Sequence, residues 1–188
     1  MSYVIYTNVI TFLTSIGYTV TDVIEQKQYD EIMKDKEFYI VRSDKKENKL
    51  SIIIIGMESI KSADIVKILN SITYVSDIYT IADYKLSSSI VKKIYEIKGK
   101  ISYKNIEFTC FLTDIRKHIM TPKHEICSEQ EKELFKNENY ILSFSNIPYI
   151  FDTDPQIIWL NGKIGDLIKI TRKKYHGELI SYRVVIPT

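Results

Sequence analysis

The sequence predicts an α/β domain over residues 1–115 followed by a small α+β domain over residues 116–188. Three observations carry this reading. Helix-like and strand-like segments alternate as far as Ile115, the pattern of a sheet covered by helices. All four prolines lie beyond that point. There the strands also become short and are separated by clear turn signals. With 45% hydrophobic and 27% charged residues, the chain has the composition of a compact globular protein. Its formal charge of +2, from 26 basic and 24 acidic residues, is too small to mark a dedicated nucleic-acid binder.

The first element is an amphipathic helix, because Val4, Ile5, Val9, Phe12, Leu13 and Ile16 recur at helical spacing and Gly17 can close it. Tyr29, Ile32 and Met33 suggest another helical turn or two. Phe38 to Val41 reads as a strand leading into the polar turn Ser43 to Asn48, and Leu50 to Ile55 as a buried one. The unbroken run Ile52 to Ile55 suits a central strand with apolar cover on both faces, ended by Gly56. Ile60, Ile65, Ile68, Leu69 and Ile72 mark the next helix, with Ser59 or Ser62 to cap it. A strand from Tyr74 to Ile81 follows. Ser87 to Ser89 then start a helix with Ile90, Val91, Ile94 and Ile97 on its apolar face and Gly99 at its end, before a last strand from Ile106 to Leu112.

In the second domain Ser128 with Glu131 three residues on is a capping box, and Leu134 and Phe135 supply the buried face of its helix. Asp154 before Pro155 puts a cap ahead of a proline at the first helical position. Asp166 to Thr171 and Leu179 to Ile186 have the lengths of strands, with Lys173 to Gly177 as their connection.

Two cysteines, Cys110 and Cys127, are too few for a disulfide framework and point to a reducing compartment. The longest apolar run, Ile52 to Ile55, falls far short of the roughly 20 residues that span a bilayer. With no basic segment ahead of an apolar stretch at the amino terminus, a soluble, non-secreted protein with no membrane partner is expected. The wealth of isoleucine, lysine, tyrosine and asparagine fits an AT-rich genome.

Candidate chemistry is sparse. Cys110, His118, His124 and Cys127 are zinc-ligand types, but without paired Cys-x2-Cys or His-x3-His spacing. Each histidine more simply fixes a turn through its imidazole, with Pro122 setting φ between them, so no metal or other cofactor is expected. Glu96-Ile97-Lys98 has the Glu-x-Lys form of many metal-dependent nucleases, with Asp77 or Asp83 as the upstream carboxylate. On a helix, however, residues two apart do not share a face. Gly162 and Gly165 precede a strand and not a helix, so they read as turn formers and not as a phosphate cradle. The basic residues Lys163, Lys169, Arg172, Lys173 and Lys174 can touch nucleic-acid phosphates or an acidic surface, or simply keep a strand edge solvated. Trp159, between Ile158 and Leu160, is expected to be buried.

One ordered series stands out: His118-Ile119-Met120-Thr121-Pro122-Lys123-His124, Ser128-Glu129-Gln130-Glu131, Asn146-Ile147-Pro148-Tyr149-Ile150, Asp154-Pro155, Gly162-Lys163-Ile164-Gly165-Asp166 and Ser181-Tyr182-Arg183-Val184-Val185. In order and spacing it resembles the carboxy-terminal assembly domain of subunit 5 of eukaryotic RNA polymerases and of its archaeal counterpart. The resemblance covers roughly Asp114 to Val185, and the amino-terminal helix ending in Gly17-Tyr18 also looks like the family's. It implies a jaw-like α/β domain and an assembly domain with a mixed sheet. It also implies a non-catalytic subunit whose partners are the largest subunit, other polymerase subunits and the downstream DNA duplex.

Carried over position by position, the resemblance makes Pro122, His124, Pro148, Asp154, Pro155, Gly165, Arg172, Tyr182 and Arg183 assembly-motif residues with no catalytic role. Thr121 and Cys127 replace the family's usual valine and leucine. Arg172 to Gly177 is one residue shorter than the family's loop and lacks its serine. The tract Ile157 to Gly162 and the composition are similar to members from large cytoplasmic DNA viruses, which implies host cytoplasmic factories and the virion as location, against the nucleus for a cellular member. The alternative is a metal-dependent nuclease or a free nucleic-acid-binding factor.

Overall fold

The computed structural model describes residues 3–20, 23–35, 38–45, 49–56, 77–82, 87–98, 102–175 and 177–188. The chain divides into two compact units, Met1–Thr113 and Asp114–Thr188.

In the first unit, helix α1 (Tyr3–Ser15) buries Ile5, Tyr6, Val9, Phe12 and Leu13, the face its spacing predicts. Gly17 ends it at φ +90°, a conformation that side chains resist. The remaining elements are β1 (Tyr18–Val20), α2 (Gln26–Asp35), β2 (Phe38–Lys45), β3 (Lys49–Gly56), β4 (Asp77–Ala82), α3 (Ser88–Lys98) and β5 (Ser102–Glu107). The five strands form one sheet in the order β1-β2-β3-β4-β5. β1, β2 and β3 pair antiparallel, whereas β3, β4 and β5 run parallel. The isoleucine-rich strand therefore holds the central place. Helix α2, with ten residues, is longer than the turn or two its three apolar residues suggest.

The predicted strand from Ile106 to Leu112 is corrected. β5 ends at Glu107, and Phe108–Phe111 form a 3-10 turn. The turn brings Phe111 against Phe12, with ring centroids 5.4 Å apart, and Asn8 Nδ2 donates to the Phe111 carbonyl at 2.8 Å. Phe111 is fully buried there, and burying a phenylalanine side chain gains about 1.5–3 kcal/mol. The predicted helix from Ile60 to Ile72, Gly99 and Asp83 lie outside the described residues.

The second unit holds β6 (Lys123–Ile126), α4 (Glu129–Glu138), β7 (Tyr149–Phe151), α5 (Pro155–Leu160), β8 (Leu167–Lys174) and β9 (Gly177–Ile186). Its sheet has the order β6-β8-β9-β7, with β7 parallel to β9 and the other pairs antiparallel, so it is an α+β unit with a mixed sheet. The connection predicted from Lys173 to Gly177 is shorter than expected, because β8 runs on to Lys174 and β9 starts at Gly177. On one sheet face Ile150, Ile168, Ile170 and Val185 form a buried cluster with Ile157 of α5.

Candidate interaction surface of the second unit

The chain's single tryptophan, Trp159 on α5, is 1% exposed. Asp154 caps α5 by accepting from the Gln156 N–H at 2.8 Å, and Pro155 supplies a preset φ at the helix start. Asn161 stops the helix at φ 53°. Gly162 then passes so close to α5 that a Cβ there would lie 2.8 Å from Ile157 Cγ2. The guanidinium of Arg116 lies over the Trp159 ring, 4.2 Å from its centroid. Asp114 holds that guanidinium in place, accepting from Nε at 2.9 Å and Nη2 at 3.0 Å. These bonds keep the Asp114 carboxyl below its ordinary range.

The next turn explains the two histidines. Thr121 N–H donates to the His118 carbonyl at 2.9 Å, and Met120 N–H to His118 Nδ1 at 3.2 Å. His124 Nδ1 meets the Pro122 carbonyl at 2.8 Å. Both imidazoles bind nearby backbone, as their spacing predicts. Among the described residues, no group of three or more His, Cys, Asp or Glu is placed to hold a metal. The turn displays Ile119 and Met120, 94% and 81% exposed, which nothing in their sequence neighbourhood singles out.

Helix α4 starts with the predicted capping box. Ser128 Oγ accepts from Glu131 N–H, and the Glu131 carboxylate accepts from Ser128 N–H at 2.7 Å, which lowers the Glu131 pKa. Lys132, its pKa raised by the hydrogen bond it donates to Glu129, also stands 3.6 Å from Asp166. Phe135 packs on Tyr182 of β9, centroids 4.3 Å apart. The expected burial of Leu134 is corrected: it is 58% exposed. Successive helical residues point about 100° apart, so Leu134 cannot share the narrow contact that Phe135 makes. Beside α4 runs a groove of about 580 Å³ lined by Lys136, Phe144, Ile147, Tyr149, Val184 and Ile186 among others. Desolvation, then Glu131, pushes up the pKa of the buried Cys127 thiol.

The assembly-motif residues do not converge on one point. Pro122 precedes β6, on which His124 sits. Pro148 precedes β7, and its carbonyl accepts from Val184 N–H at 3.0 Å. Gly165 takes φ +90° in the turn before β8 and donates to the Val185 carbonyl. Arg183 Nη1 donates to the Tyr149 carbonyl at 3.1 Å, tying β9 to β7. Nor do the basic residues form one cluster. Lys163 is in the turn before β8 and Lys169 is half-buried opposite Tyr182. Arg172, Lys173 and Lys174 lie exposed at the far end of β8. Glu96 and Lys98 fall on α3, where a two-residue spacing does not share a face.

The profile of the family described as RNA polymerase Rpb5, C-terminal domain, matches residues 113–185, nearly the whole second unit. The DNA-directed RNA polymerase subunit Rpo5 of Methanosphaera stadtmanae is 38% identical over 73 residues, covering 38% of this chain and 94% of that protein. The chain belongs to the RNA polymerase subunit 5 family. The Rpo5 of Nitrosopumilus maritimus is 46% identical over 71 residues, covering 37% of this chain and 83% of the relative. That of Pyrococcus abyssi is 39% identical over 74 residues, 39% of this chain and 89% of the relative. These archaeal subunit 5 proteins match little more than a third of the present chain.

Proposed function

We propose that the second unit anchors this chain to the largest subunit of a multisubunit RNA polymerase, and that the first unit forms part of the jaw around the downstream DNA duplex. The chain is a non-catalytic subunit of a DNA-directed RNA polymerase, a structural part of the enzyme and not its chemistry. The observation that carries the proposal is the coincidence of the family match, residues 113–185, with a compact unit that starts at Asp114. That unit displays apolar side chains where an isolated domain gains nothing from them: Ile119 and Met120 on a braced turn, Tyr149 and Phe151 on β7. Exposed apolar groups held by rigid backbone suit a protein interface.

Pro122, His124, Pro148, Asp154, Pro155, Gly165, Tyr182 and Arg183 support assembly by shaping turns, caps and strand contacts of this surface. Arg172, Lys163, Lys169, Lys173 and Lys174 meet an acidic partner surface or nucleic-acid phosphates. The composition supports an origin in a large cytoplasmic DNA virus, with cytoplasmic factories and the virion as the sites of action. The nuclease and free-factor readings are not favoured by the family match.

Incorporation of tagged full-length variants into the polymerase tests the proposal. Replacing Arg183 by alanine removes the bond to the Tyr149 carbonyl, and replacing Pro122 loosens the braced turn. Both variants are expected to enter the polymerase poorly. Incorporation at the level of the unaltered chain would refute the assigned surface.

A further inference from the structure

The two long strands of the second unit extend beyond their neighbours. β6 pairs with β8 only as far as Thr171, and β7 pairs with β9 only from Val184 onward. Residues 172–174 and 177–179 therefore form a two-stranded ribbon with no further strand on either side among the described residues, and from Ile180 to Arg183 β9, backed by β8 and β6, has no strand on its outer side.

The free edges of β8 and β9 differ. The β8 edge carries Arg172, Lys173 and Lys174, the charged side chains with which proteins discourage strand addition. The β9 edge from Leu179 to Tyr182 carries no charge, no proline and no bulge. Leu179 and Ile180 are 44% and 46% exposed there.

The backbone direction along β9 follows from bonds at its other end. Val184 N–H points away from β8, to the Pro148 carbonyl, and the Ile186 carbonyl points the same way, to Asp152 N–H. Val185 N–H instead turns to the β8 side, to the Asp166 carbonyl. Backbone groups alternate sides along a strand, so Glu178, Ile180 and Tyr182 aim their N–H and C=O outward. Pro148, which has no N–H and stands at the start of β7, keeps that strand from continuing along them.

We infer that the outward edge of β9, from Glu178 to Tyr182, takes up an extended, acidic segment of another polymerase subunit as an additional strand, end to end with β7. This rests on the chain's role as a polymerase subunit. Charge complementarity selects the occupant. On β8 and β9 themselves, from Ile168 to Arg183, stand Lys169, Arg172, Lys173, Lys174 and Arg183, against the single carboxylate of Glu178. A strand with carboxylates and alternate apolar side chains would gain three outward pairs of backbone groups, with its apolar side chains on one face beside Ile180 and its carboxylates on the other, the face of Arg172.

Amide hydrogen exchange tests the inference on the full chain, free and within purified polymerase. In the free chain the N–H groups of Glu178, Ile180 and Tyr182 exchange fast. In the polymerase they are expected to slow by about tenfold or more, an equilibrium shift worth about 1.4 kcal/mol. Leu179, Ser181 and Arg183, whose backbone groups face β8, should change less. The variant Ile180→Pro removes one outward donor and leaves the β8 pairing in place. It is expected to keep the melting curve of the parent and to lose incorporation by about tenfold. The conservative Ile180→Thr should retain incorporation, and Lys173→Glu with Lys174→Glu should weaken it.

Equal exchange at Glu178, Ile180 and Tyr182 in the free and assembled states would overturn the inference even if Ile180→Pro failed to fold. So would full incorporation of a folded Ile180→Pro. Protection that grows with the concentration of the free chain would assign the edge to a second copy and overturn it too. If the unaltered chain does not enter polymerase at all, the subunit role fails. If it enters and Ile180→Pro enters equally, only the added strand fails.

Discussion

Asp114 offers a sharp test of what holds the second unit together. Its side chain is only 5% exposed, and it grips Arg116 through two hydrogen bonds that hold the guanidinium over Trp159. Asp114→Asn keeps an oxygen for the Arg116 N–H at the following turn but removes the charge and one of the two acceptors. Hydrogen bonds to charged groups contribute about 1.5–3 kcal/mol. Arg116 is 31% exposed, so solvent screens part of this and the lower end applies. A loss of about 1.5–2 kcal/mol lowers the melting temperature of a unit of this size by roughly 6–16 °C.

Trp159, the chain's one tryptophan, reports that transition by its fluorescence. The pH dependence has a definite sign. Because the folded-state pKa of Asp114 lies below its ordinary 3.8, the stabilisation is complete above that value and is lost as pH falls through the folded-state pKa. The gap between parent and Asp114→Asn should be full at neutral pH, persist at mildly acidic pH and close below pH 3.8. Equal melting temperatures at neutral pH, or a gap that remains in strong acid, would refute the role given to this carboxylate.

Other substitutions probe the same unit. Ser128→Ala should cost about 1 kcal/mol through loss of the helix cap, visible as a lower denaturant midpoint. Gly162→Ala puts a Cβ 2.8 Å from Ile157 Cγ2 and should cost about 1–3 kcal/mol in thermal denaturation. At Gly165 a Cβ meets nothing within 4 Å, so Gly165→Ala should cost only the strain of φ +90°, about 1–3 kcal/mol. Cys127, buried and with a raised pKa, should resist iodoacetamide in the folded protein and react on unfolding, as followed by mass spectrometry.

Local chemistry in this sequence is readable residue by residue. The capping box at Ser128 and Glu131, the cap and proline at Asp154 and Pro155, and the backbone-bound imidazoles of His118 and His124 each involve groups within three residues. The central strand is visible in Ile52 to Ile55 because apolar runs of that length need cover on two sides. Phe108–Phe111 mimics a strand because a single 3-10 turn is too short to show a period, and burial of Phe111 against Phe12 decides its conformation. Leu134 mimics a core residue, yet adjacent apolar residues on a helix cannot both face a contact one ring wide.

The surface is harder to see. Ile119 and Met120 look like any apolar pair until the His118 turn is known to push them outward. The free edge of β9 depends on where β7 stops, a matter of sheet order and register that linear spacing does not encode. Lys163, Lys169 and Lys173 read as one basic cluster in sequence, yet strand geometry distributes them over a turn, a half-buried strand position and the ribbon end.

Affinity isolation of the tagged chain from its native source under mild salt tests whether it is part of a working polymerase. Mass spectrometry would give the stoichiometry of what comes with it, and a promoter-independent RNA synthesis assay would report activity of the eluate. Stoichiometric recovery of the two largest polymerase subunits together with RNA synthesis is the predicted result. A chain recovered alone, with no polymerase subunits and no RNA synthesis, would rule out its role as a polymerase subunit.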